Sequence, residues 1–250
     1  MSIWGKVVGG AAGFAIGGPL GALLGAVAGH AVDQFRDQQA QSSAGEAAQP
    51  AADATRQIGF TIGVIVLSAK MAKADGRVTR DEIRAFREVF HIPTDEEKNV
   101  ARLFDRAKRD ARGFEPYAYQ IARMLQDTPS VLEELLDCLF HIAKADGNLH
   151  AAELRYLQQV AEIFGFDEQE FSRIRAGHIG PDASDPYTVL GIDRGASDGD
   201  IRRRYRELIR EHHPDRLMAQ GLPKEFEEVA NQKMAGINAA YDEVKRQRGL

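Results

Sequence analysis

His213, Pro214 and Asp215 place an imidazole and a carboxylate on either side of a proline. Such a pair can donate and accept hydrogen bonds and can move a proton. No activated nucleophile accompanies it, so the stretch reads as a docking tip rather than a catalytic centre. A nucleophile–base motif of the hydrolase kind is likewise missing, and no enzyme activity is expected. His212 stands next to His213. Neighbouring side chains on a helix diverge, so His212, His213 and Asp215 are not read as a ligand set. A second group of chemical interest is acidic: Asp75, Glu82, Asp146 and Glu153 lie in two similar segments. Hard oxygen ligands from two related turns are the kind that hold Ca²⁺ or Mg²⁺. The competing reading is that each Asp shapes its turn and each Glu caps its helix. The turns lack the ligand density of an EF-hand loop, so no metal or other cofactor is expected. Cys138 is the single cysteine, which excludes an intrachain disulfide and any zinc site built on paired cysteines.

The tip needs two helices to hold it. Upstream, Ile201, Tyr205, Leu208 and Ile209 recur at helical spacing and form the expected buried stripe. They are expected to face Phe226, Val229, Ile237 and Tyr241 of a second helical run. Arg202, Arg203, Arg206 and Arg210 are left for the exposed side. Pro214 fixes its own φ and disfavours a helical His213, so the first helix stops at the tip. Ser197 followed by Asp200 starts that helix, and Ser184-Asp-Pro186 opens a shorter one before it.

The region from 55 to 176 reads as amphipathic helices. Ala72-Lys-Ala-Asp-Gly76 recurs as Ala143-Lys-Ala-Asp-Gly147, each followed by an acidic residue and a similar apolar pattern. Each copy reads as helix, Asp-Gly turn, helix, with Thr79 to Glu82 a capping box. Further helices are expected from Thr94 to about Ala111, from Pro116 to Gln126, from Thr128-Pro129, and from Asp167. No sustained alternation of period two is present, so the expected class is all-α. Residues 37–54 have almost no large apolar side chains and are expected to form a flexible linker, with a short spacer at 177–184.

Near the start, glycines fall at 5, 9, 13, 17, 21, 25 and 29, and no fixed charge occurs from Val7 to Val32. At about 1.5 Å per residue such a run crosses a ~30 Å hydrocarbon layer as one helix. Glycine at every fourth position opens a groove for close helix–helix approach, so Gly9, Gly13, Gly17, Gly21, Gly25 and Gly29 are candidates for self-association into a homodimer. A secretory signal ending near Ala26-Val-Ala28 is the competing reading, but Lys6 is the only early basic side chain. Flanking charge is nearly balanced and does not orient the helix. The net charge of −5 gives no general case for nucleic-acid binding.

Residues 185–250 resemble the J domain of DnaJ-type co-chaperones. The carrying residues are Asp185-Pro-Tyr187 with Leu190-Gly191, then Ile201, Tyr205 and Leu208, then His213-Pro-Asp215, then Ile237-Asn with Ala240-Tyr241. Residues 55–176, with their repeated Asp-Gly turns, resemble the TerB-like domain. With residues 1–36 as the anchor, this order resembles the membrane-anchored DnaJ-like co-chaperones of bacteria. The resemblance implies an Hsp70 (DnaK) partner met by His213, Pro214, Asp215 and the four arginines, faster ATP hydrolysis by that partner, and a single-pass inner-membrane protein with cytoplasmic C-terminal domains. A membrane scaffold, or a metal or stress sensor run by the TerB-like domain, is the alternative. Arg204 stands where that family commonly has a small residue and Glu207 where it commonly has a basic one; His212 replaces a frequent Tyr.

Overall fold

The computed structural model describes residues 18–22, 48–74, 86–87, 92, 97–110, 113–145, 147, 149–179 and 184–250. Gly9, Gly13, Gly17, Gly25, Gly29, Asp75, Glu82 and Asp146 lie outside them, as do residues 37–47 of the expected linker. All regular structure among the described residues is helical. The helices are α1 (Ala48–Ala74), α2 (Glu97–Arg109), α3 (Glu115–Met124), α4 (Pro129–Ala143), α5 (Ala151–Phe164) and α6 (Glu168–Ile179). They continue as α7 (Pro186–Leu190), α8 (Asp198–Glu211), α9 (Pro214–Ala219), a 3₁₀ turn (Lys224–Phe226) and α10 (Glu227–Arg248). Helix α1 begins inside the stretch expected as linker, and α6 runs into the expected spacer. None of the described helices is long and apolar enough to cross a membrane.

Helix α1 is the axis of the middle domain. Every residue from Ile58 to Ala72 is buried, so this helix is covered on all sides rather than on one stripe. It packs against α2, α3, α4 and α5. Gly63 permits a close approach: a Cβ there would lie 2.9 Å from Ile121 Cδ1 and 3.2 Å from Leu135 Cδ1. Lys70 is tolerated in the core because its Nζ reaches the Asp110 carbonyl at 3.1 Å. Local chemistry sets the helix ends. Pro129 occupies the first turn of α4, and Asp167 and Glu170 cap α6 reciprocally at 2.9 and 2.8 Å. Gly165 ends α5 at φ 91°, in the left-handed region. Residues 18–22 of the glycine run are helical, and Leu20 is fully buried in the same core with its N–H donating to Gln120 Oε1 at 2.9 Å.

The C-terminal hairpin has its own smaller core of Tyr187, Leu190, Ile201, Leu208, Ile237, Ala240 and Val244. Tyr205 and Tyr241 stack face to face with centroids 3.9 Å apart, and the Tyr205 hydroxyl donates to Asn238 Oδ1 at 2.9 Å. Arg248 ties the end of α10 back to Ala196 O at 2.7 Å and Asp198 Oδ1 at 2.9 Å.

One packing expectation is corrected. Phe226 and Val229 do not face Ile201 and Leu208; they belong to the core of the middle domain, with Leu217, Leu222 and Ala230. The Phe226 ring meets Phe60 of α1 edge to face at 4.8 Å. The apolar side chains of the segment from α9 to the start of α10 fill the neighbouring domain instead. In the other direction, Ala176 of α6 lies in the hairpin core. The two domains therefore share a packed seam.

Candidate functional site

The tip is built by capping. Ser197 accepts the Asp200 N–H at 3.2 Å and starts α8, with Asp198 and Asp200 in the positive first turn. His212 closes that helix, and His213 leaves it with an extended backbone at φ −63° and ψ 128°. That is the conformation a following proline demands. His213 is also the N-cap of α9: its Nδ1 accepts the Asp215 N–H at 3.2 Å, and Pro214 takes the first helical position, where no N–H is needed. The consequence is a rigid corner. Pro214 is buried, whereas the side chains of His213 and Asp215 are 51% and 84% exposed. The Asp215 carboxylate faces solvent, with the His213 ring 3.8 Å away.

Arg202, Arg203, Arg206 and Arg210 are all exposed along α8. Arg203 pairs with Asp200, and Ser197 and Arg203 hold that aspartate below its ordinary value. Arg216, just past the tip, reaches the Arg210 carbonyl at 3.4 Å and extends the positive surface; the sequence reading did not select it. Arg204 and Glu207 now have a physical account. Arg204 donates to the Leu190 carbonyl at 3.3 Å and lies 3.7 Å from Glu207 and 3.8 Å from Glu211. Both therefore serve contacts on the half-buried side of α8.

A charged cluster that sequence reading missed lies directly beneath the tip. His212 is 2% exposed. Its Nδ1 is 3.2 Å from Glu134 Oε1 and its Nε2 is 3.5 Å from Glu133 Oε1, both on α4. Lys233 of α10 reaches Glu133 Oε1 at 2.5 Å, Asp137 Oδ2 at 2.6 Å and Glu134 Oε1 at 3.4 Å. Arg173 of α6 grips Glu133 with two bonds of 2.8 and 2.6 Å, and His178 meets Asp137 at 2.6 Å. Burial alone raises the Glu133 and Asp137 carboxyls. For Glu133, Lys233, His212 and Arg173 outweigh it and hold the group well below the usual range; for Asp137, Lys233 and His178 outweigh it and lower the group. Burial opposes the Lys233 charge too, but Asp137, Glu133 and Glu134 raise it above an ordinary lysine. The signal was present in the sequence: α4 carries three acids within an otherwise apolar run, on a helix with no fully solvated face.

Of the metal candidates, Glu153 is the one within the described residues. It is buried, and its Oε2 accepts the His150 N–H at 2.9 Å, which is the capping role. Among the described residues no three His, Cys, Asp or Glu side chains are arranged to hold a metal ion. His141 lies on α4 and His150 caps α5. Cys138 is fully buried, and its surroundings, with Glu134 and Asp137 near, push the thiol well up, so it behaves as a core residue.

A short helix, a long basic helix, a His-Pro-Asp corner and a returning helix are the parts of a J-domain co-chaperone. The DnaJ domain family matches residues 185–248, Tellurite resistance protein TerB matches 61–176, and the Co-chaperone DjlA transmembrane domain matches 1–47. The chain is 31% identical to the co-chaperone protein DjlA of Photobacterium profundum over 78% of its own length and 80% of the relative's. It is 33% identical to that of Coxiella burnetii and 32% to that of Shewanella oneidensis, in each case over 72% of this chain and 74% of the relative. No solved structure matches. The chain belongs to the DjlA family of co-chaperones, which is not a class of enzymes.

Proposed function

We propose that the chain binds Hsp70 (DnaK) through His213, Pro214, Asp215 and the arginines of α8, and stimulates ATP hydrolysis by that partner at a membrane. The observation that carries this reading is the exposure of Asp215 and His213 on a corner whose proline is buried. A carboxylate held that way can accept a charge-assisted bond from a partner arginine without reorganising. The positive helix face steers an acidic partner surface toward the same corner. Match of residues 1–47 to a transmembrane domain, with the uncharged glycine run, supports a single-pass anchor there. Hsp70 is the reason to place the C-terminal domains on the cytoplasmic side. Gly9, Gly13, Gly17, Gly21, Gly25 and Gly29 would line the surface on which two anchors meet.

Single-turnover ATP hydrolysis by the cognate Hsp70 tests the reading. The wild-type chain accelerates it, and His213→Gln or Asp215→Asn lowers the stimulation by about tenfold or more, the loss of one charge-assisted contact. Equal stimulation by wild type and both variants overturns it.

A further inference from the structure

We propose that the middle domain aims the tip: Glu133, Glu134 and Asp137 of α4 are positioning residues that seat the J domain through His212 and Lys233. The activity arm of this inference rests on the Hsp70 reading above.

The seam between the domains has two parts with different physical consequences. Phe226, Leu217 and Leu222 fill the middle-domain core and supply non-directional attraction. The ion cluster supplies direction, because each charge must meet its partner at hydrogen-bond distance or remain buried and unpaired. The cluster is attached where it controls the tip most tightly. His212 immediately precedes His213, and the chain turns there from 2% to 51% exposure. Both ring nitrogens of His212 face carboxylate oxygens of α4, so the ring plane is held on two sides. Lys233 holds the returning helix to the same three carboxylates. Arg173 braces Glu133 from α6, and its side chain also runs 2.8 Å from where a Cβ of Gly191 would lie, so it touches the J domain as well. Glu134 Oε2 makes no hydrogen bond although the residue is 1% exposed. The seat leaves Asp215 and the arginines of α8 uncovered. It therefore presents the tip in one orientation relative to the middle domain and does not block it.

The full chain in lipid nanodiscs, spin-labelled through Gln159→Cys on α5 and Gln247→Cys on α10, reports the seat as a distance distribution; Cys138 is buried. Wild type gives one narrow distance. Glu133→Gln combined with Lys233→Met broadens it, while circular dichroism shows that the helices persist. Lys233→Arg, which keeps a cation among the three carboxylates, leaves it narrow. In the Hsp70 assay the broadened variant needs about fivefold more chain for half-maximal stimulation, with the maximal rate kept, and Lys233→Arg behaves as the wild type. A distance that stays narrow in the neutralised variant overturns the inference. So does a broadened distance with unchanged half-saturation. If the wild type gave no stimulation, the Hsp70 reading would fall, and the distances alone would uphold or overturn the seat.

Discussion

Asp137 and Glu133 show how single residues make this protein sensitive to acid. Their carboxyls are held below the ordinary values in the folded chain, chiefly by Lys233. A carboxyl whose pKa is depressed by folding contributes stability that is present above its unfolded value and lost as pH falls through the folded one. The contribution of these two carboxyls to the free energy of unfolding is therefore expected to be level above about pH 5 and to fall steeply below about pH 4. Chemical denaturation of the wild type and of Glu133→Gln across pH 3–7 measures this. The variant starts less stable at neutral pH and has a shallower acid slope; equal slopes would show that Glu133 contributes nothing to the seam. At the tip the same scale gives a different outcome. Asp215 is exposed, so changing its carboxylate alters partner contact with little effect on folding, whereas a change at His213 also removes the cap of α9.

Among the elements, the segment from α9 through the 3₁₀ turn decides how the domains meet. In sequence it is the return of a hairpin, with Gly221-Leu222-Pro223 to break the helix. In the structure Gly221 takes φ 108°, and the turn delivers Phe226 to Phe60. Phe226 is fully buried, so Phe226→Ala removes a large ring from a packed core and is expected to cost about 3–5 kcal/mol. Thermal unfolding by circular dichroism, monitored alongside the tyrosine stack of α8 and α10, tests where that cost falls. Middle domain and hairpin should lose stability together, because the ring is in the core of one domain and on the chain of the other. A drop confined to the hairpin signal would show that the seam is not cooperative.

At the scale of the whole molecule, three matched regions are strung on one chain; the last two share a core, and Leu20 of the first is buried in it as well. A co-chaperone held this way offers its tip at a set orientation to the middle domain rather than on a free swivel. Assembly through the anchor would then set how many tips face one partner. Gly13, Gly17 and Gly21 changed together to Leu fill the proposed groove and are expected to abolish self-association of the anchor, read by energy transfer between labelled chains in vesicles. Unchanged transfer would reject the groove.

Much of the site was legible without coordinates. Ser197, Pro214 and Asp185 act on backbone within a few residues of themselves, so the helix starts and the corner followed from local stereochemistry. The J-domain blocks likewise stood at recognisable spacing. The seat did not. Glu133, His212 and Lys233 are far apart in the chain, and no periodicity relates them. Phe226 had an apolar partner available in either domain, since hydrophobic attraction is non-directional and a stripe does not name what covers it. Local chemistry thus determined the tip of this protein. Its docking against the middle domain, and with it the pairing of the buried charges, was decided only by tertiary packing, where each buried ion must find its counterion in three dimensions.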